Sequence, residues 1–85
     1  MKKVFLIGFK TNAWENKPMV IDNNQYGLTP LYDNGLEFSS FDEAKDFISK
    51  SRVYADLRKR FADIIEYVSI IERVVRYEEK NRVYI

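Results

Sequence analysis

The residue pattern points to an α+β domain: a small, mainly antiparallel sheet with one or two helices packed on one face. The expected order is strand, strand, hairpin, helix, helix, strand, within a single domain spanning residues 1–85. Three stretches carry that expectation. Val4 to Phe9 is a nearly unbroken apolar run of β-formers. Phe38 to Ser51 contains a helix cap followed by an apolar stripe. Ile64 to Tyr77 is dense in Ile and Val, which suits a returning strand.

Val4 to Phe9 fits a strand buried on both faces or placed mid-sheet, because a strand with one wet face alternates instead. Gly8 inside it marks a bulge or a close backbone approach. Thr11 to Lys17 is polar apart from Ala13 and Trp14 and reads as a loop. Pro18 then opens a second strand, Met19-Val20-Ile21, antiparallel to the first and closed by Asp22-Asn23-Asn24. From Tyr26 to Tyr32 the pattern is broken by Gly27 and Pro30. Asn34-Gly35 offers the two positive-φ residues of a type I′ turn, with Leu31-Tyr32 and Leu36-Glu37-Phe38 as the arms of a short hairpin.

Ser40 and Glu43 stand in capping-box spacing: the hydroxyl accepts from the Glu43 N–H and the carboxylate reaches back to the Ser40 N–H. Asp42, Glu43 and Asp46 suit the positive end of the helix dipole, and Lys50 lies near its negative end. Phe41, Ala44, Phe47 and Ile48 form one stripe. A second helical piece follows Ser51, with Val53, Tyr54, Leu57, Phe61 and Ile64 or Ile65 at helical spacing.

Two patterns compete beyond it. Leu57, Phe61, Ile64, Val68, Ile71 and Val75 supply the seam of one continuous helix from Tyr54 to Glu79. Yet seven of the fourteen residues from Ile64 to Tyr77 are Ile or Val, and β-branching favours a pleated surface. A long strand from about Tyr67 to Tyr77 is therefore preferred. The adjacent pairs Ile70-Ile71 and Val74-Val75 then require a bulge or burial on both faces. Arg82 to Ile85 suits a last short strand or a terminal hook.

Composition restricts chemistry. The chain has neither cysteine nor histidine, so it lacks thiolate metal sites, thiol nucleophiles and the commonest general base. No loop has EF-hand spacing, Ser39 and Ser40 have no partner in motif spacing, and Gly8, Gly27 and Gly35 form no phosphate-binding loop. No catalytic residue, metal or cofactor is expected. The net charge of +1 lacks the strong excess of a phosphate-neutralising surface. The apolar run after Met1-Lys2-Lys3 is too short for a signal peptide, and nothing approaches the ~20 apolar residues of a membrane span. A soluble cytoplasmic protein, with no membrane partner, is the expectation.

The order Phe-x-Ser-Phe-Asp-Glu-Ala-Lys-Asp-Phe-Ile from Phe38 to Ile48, followed by Val68-Ser69-Ile70-Ile71-Glu72-Arg73-Val74-Val75, resembles many short proteins of bacteriophages from low-GC Gram-positive hosts. The likeness covers about half of the chain, and its motifs are structural. It implies a small antiparallel sheet leading into an acidic-capped helix, with a strand returning. The members with known roles act mostly by binding a host or phage protein. No functional residue carries over.

The expected function is a non-enzymatic protein-binding module, a phage or mobile-element accessory protein that binds or inhibits a host protein in the host cytoplasm. Trp14, Tyr54, Arg58 and Tyr77 are the candidate contacts, because Trp, Tyr and Arg dominate interface hot spots. Trp14 has an ordinary alternative as a lid on the core, and Tyr26, Tyr32, Tyr67, Tyr77 and Tyr84 suit either an interface or a sheet edge. Lys50, Arg52, Arg58, Lys59 and Arg60 offer a nucleic-acid surface as a second reading, against a solvated helix face interleaved with Asp56 and Asp63. A third reading is a self-associating structural protein, a homodimer through a helical 54–79 seam.

Overall fold

The computed structural model describes residues 2–12 and 14–75, with the backbone alone for 14–16. Strands β1 (Lys2–Thr11), β2 (Trp14–Ile21), β3 (Leu28–Thr29) and β4 (Ile65–Val75), with helices α1 (Phe41–Lys50) and α2 (Arg52–Arg60), make an α+β fold. The sheet is antiparallel in the order β3-β2-β1-β4. β1 is thus internal, as its unbroken apolar run requires: Val4, Leu6, Ile7 and Phe9 are all buried.

Alternation divides β1 between two layers. Phe5, Ile7 and Phe9 share a face with Ile21 of β2 and with Val68 and Ile70 of β4, and there they meet Ala44, Phe47, Leu57 and Phe61 from the helical segment. Val4, Leu6 and Gly8 face the other way, beside Val20. The adjacent Ile70 and Ile71 serve opposite layers. A register shift between Lys10 and Thr11 accommodates Glu66 as a bulge, but it precedes both adjacent pairs; Ile70 and Ile71 are half-buried in opposite layers, whereas Val74 is exposed beside the half-buried Val75. β4 begins two residues earlier than expected, and residues 76 and 77 lie outside the described residues. The continuous 54–79 helix is overturned: α2 stops at Arg60, and a ten-pair ladder with β1 carries 65–75 instead. The proposed helical seam for self-association goes with it.

The hydroxyl of Ser40 accepts from the Glu43 N–H at 3.1 Å, as capping requires. The Glu43 carboxylate, however, accepts from the Ser39 hydroxyl, so the reciprocal half of the box is replaced. Ser51 closes one helix and opens the next. Its N–H bonds Phe47 O at 2.9 Å, and its Oγ accepts from Val53 N and Tyr54 N at 3.1 and 3.4 Å. That corner turns α2 so that Leu57 is fully enclosed, a burial contributing roughly 1.5–3 kcal/mol.

Two local expectations fail. Thr11 to Lys17 is not a loop: β1 runs to Thr11 and β2 starts at Trp14, directly opposite it. β2 pairs with β3 only through Val20 and Ile21, so its first half is a sheet edge, where polar residues and a mid-strand Pro18 are tolerated. Nor is there a type I′ hairpin at Asn34-Gly35. Tyr32–Asn34 is a 3₁₀ turn and Gly35 is extended, with φ −75° and ψ 153°. Among the described residues, Gln25 in the β2–β3 turn is the one non-glycine with positive φ, at 64°. Gly35 is needed for room instead: a Cβ there would lie 2.8 Å from Val20 Cγ2 and 3.2 Å from Leu6 Cδ2.

The 3₁₀ turn therefore roofs the face opposite the helices. It is pinned on one side by the Tyr32 hydroxyl, which donates to Pro18 O at 2.8 Å, and on the other by Arg73 of β4, which donates to Asp33. The segment beyond it extends the sheet past the end of β2: Leu36 N bonds Ile21 O, and Phe38 exchanges two hydrogen bonds with Phe5. The expected terminal strand at 82–85 lies outside the described residues.

Candidate functional site

Of the four candidate contacts, the structure brings together two. Tyr54 and Arg58 lie one turn apart on α2, and Arg58 Nη1 donates to the Tyr54 hydroxyl at 3.4 Å. The Tyr54 ring stacks on Phe9, centroids 5.7 Å apart and planes 28° apart, so one face belongs to the core and its polar tip carries Arg58 outward. The backbone of Trp14 opens β2 opposite Thr11. Tyr77 lies outside the described residues.

The basic cluster divides by role. Lys50 and Arg52 flank the Ser51 corner, and Arg58 and Lys59 are exposed on the last turn of α2, where the helix dipole favours cations. Arg60 is occupied: it donates to Tyr26 O in the β2–β3 turn and lies over the Phe61 ring, 5.1 Å from its centroid. It ties the helix end to that turn.

The tyrosines divide too. Tyr32 is built into the roof, with Lys17 Nζ 4.3 Å above its ring, and burial holds its ionisation above the usual value. Tyr26 is exposed, and Tyr67 on β4 is 53% exposed. Tyr84 lies outside the described residues. Asp42, Glu43 and Asp46 remain at the start of α1, and among the described residues no three metal-capable side chains converge. A hollow of about 190 Å³ lies between the start of β1 and the start of α1, lined by Lys2, Val4, Glu37, Phe38, Ser39 and Glu43.

One feature escaped the sequence reading: the outer edge of β4. Among the described residues an 11-residue strand ends the sheet on that side, with Tyr67 and Val74 as exposed large hydrophobics. Only the sheet order reveals it, because no local spacing says which strand lies outermost. Among the described residues, fold and surface together define a small sheet-and-helix domain whose conspicuous features are external: a basic, Tyr-bearing helix and an open strand edge. No family model matches this chain, and comparison with curated proteins and with solved structures finds no match either. Among the described residues no helix is long and apolar enough to cross a membrane.

Proposed function

We propose that this chain is a non-enzymatic protein-binding module that docks through α2 onto an acidic surface of its partner. One observation carries the reading: Arg52, Arg58 and Lys59 are presented on a helix fixed to the sheet by the buried Leu57 and the stacked Tyr54. A pre-positioned surface loses little side-chain and backbone freedom on binding, which leaves more of the contact energy for affinity. The likeness to short phage proteins makes a host protein the proposed partner and inhibition by occlusion the proposed action, in the host cytoplasm.

Retention of host proteins on the full chain, with and without nuclease, tests this against Arg52→Glu/Arg58→Glu/Lys59→Glu. A stoichiometric partner that survives nuclease and is lost with the triple variant supports it. A partner retained equally by the variant, or turnover abolished by one carboxylate substitution, overturns it.

The nucleic-acid reading is favoured by the same exposed cations, Lys50, Arg52, Arg58 and Lys59. Four phosphate contacts would give a log–log salt slope of about −3.6 on duplex DNA. Binding that nuclease abolishes, with a slope of that size, would put this reading in place of the first.

A further inference from the structure

The backbone of Phe5 donates to Phe38 O and accepts from Phe38 N, at 2.9 and 2.8 Å. Both its polar groups are therefore spent on the β2 side of β1. Strand alternation turns those of Val4, Leu6 and Gly8 the other way, toward Arg73, Ile71 and Ser69 of β4. It follows that Val68, Ile70, Glu72 and Val74 aim their N–H and C=O groups away from β1, at an edge on which no other described strand lies. Eight strong hydrogen-bonding groups line that edge, flanked by the exposed side chains of Tyr67 and Val74, the latter 58% exposed. Long open edges of this kind are templates for another strand.

We propose that the occupant is β4 of a second copy, paired antiparallel about a two-fold axis at Ile71, so that two four-stranded sheets become one of eight strands. The charges select both partner and register. A two-fold normal to the sheet keeps each face on its own side, so only residues of equal parity face one another. Centring on Ser69 sets Glu66 against Glu72 of the copy, and centring on Glu72 sets that carboxylate against itself; like charges directly opposite are destabilising. Centring on Ile70 sets the exposed Tyr67 against Arg73, which Asp33 already holds, where an apolar neighbour is wanted.

Centring on Ile71 pairs Val68 with Val74, Ile70 with Glu72, Tyr67 with Val75 and Ser69 with Arg73. All eight outward groups of each strand then find partners. No two charges are opposed, and each Glu72 keeps its own Lys3 at 3.2 Å. The two exposed large hydrophobics, Tyr67 and Val74, both gain apolar neighbours. The inference does not depend on the role given to α2.

The chain has no cysteine, so single cysteines report the register directly. Mild oxidation of full-length Ile71→Cys is expected to give a disulfide-linked dimer. Tyr67→Cys, more exposed but facing Val75 of the copy, should form no disulfide-linked dimer at the same concentration. Independently, sedimentation of the unsubstituted chain should move from 10.2 kDa toward twice that mass as concentration rises. Val74→Pro removes a donor that no other described residue uses, so it should remain monomeric, with the thermal stability of wild type held at concentrations too low for the dimer. A wild-type chain that stays monomeric at all concentrations, or Tyr67→Cys linking as readily as Ile71→Cys, would overturn the proposal. A monomeric Val74→Pro that melts earlier than a monomeric wild type overturns it in favour of residues 76–85 as the occupant.

Discussion

Arg73 Nη2 and Asp33 Oδ1 meet at 2.5 Å, joining the outermost strand to a 3₁₀ turn forty residues earlier in the chain. The two partners differ in setting: the Arg73 side chain is 30% exposed and that of Asp33 83%. The guanidinium stem thus lies along the sheet while its head reaches outward to a wet carboxylate. Exposed pairs contribute about 0.2–1 kcal/mol, whereas the stem adds apolar packing. Asp33→Asn should cost at most about 1 kcal/mol, less at high salt. Arg73→Met, which keeps the stem, should cost no more, and Arg73→Ala should cost more than either. Urea denaturation at two salt concentrations checks this; equal losses for Arg73→Met and Arg73→Ala would show that the stem does not pack.

The same roof depends on Gly35. Its backbone angles are open to any residue, so conformational freedom is not the reason for a glycine. Close approach is: Val20 Cγ2 and Leu6 Cδ2 occupy the space of a Cβ. Gly35→Ala should therefore lose about 1–3 kcal/mol by overpacking. Gly35→Asn should be at least as damaging, although a type I′ turn would accept Asn readily. Thermal denaturation of the two variants distinguishes the explanations, and a tolerated Asn would restore the turn.

Thr11 ends β1 with its hydroxyl fully buried and without a hydrogen-bond partner among the described residues. An unpaired hydroxyl in such a place costs about 1–3 kcal/mol by protein mutational measures. Thr11→Val keeps the shape and deletes the orphaned oxygen. It should raise the urea midpoint with an unchanged slope, by about 1 kcal/mol or more of stability. A loss would mean that the oxygen is satisfied in solution.

These features grade how far the sequence could be read. The helix start at Ser40 and the internal placement of β1 were legible because each rests on local chemistry: a hydroxyl three residues before an acid, and a run with no wet face. β4 was legible only as a preference, since the same Ile and Val residues also lay a helical seam; pairing with β1 decides between them. Gly35 misled because one residue type serves two needs, positive φ and lack of bulk, and the sequence does not say which. Arg58 and Tyr54 were named for their side-chain types, and helical spacing makes them neighbours. Arg60 stood in the same basic run, but its bond to Tyr26 spans 34 residues and leaves no local trace.

Tyr32 links the roof to pH. Its hydroxyl donates to Pro18 O, and burial raises its ionisation above the ordinary value of 10.0. The folded chain therefore holds this proton more tightly than the unfolded chain. The resulting stability is whole below pH 10 and is lost as pH rises through the folded-state value. Tyr32→Phe removes the hydrogen bond and the titration together. At neutral pH it should be less stable than wild type by about 0.5–1.5 kcal/mol. Above pH 10 the wild type alone carries this cost of ionisation, so the gap between the two should narrow with rising pH. Paired urea denaturation across that range measures the gap, which cancels the other tyrosines and the lysines common to both chains. A gap that stays constant into strong alkali would mean that Tyr32 ionises no less readily in the fold than in the unfolded chain, and that the roof leaves its hydroxyl open to water.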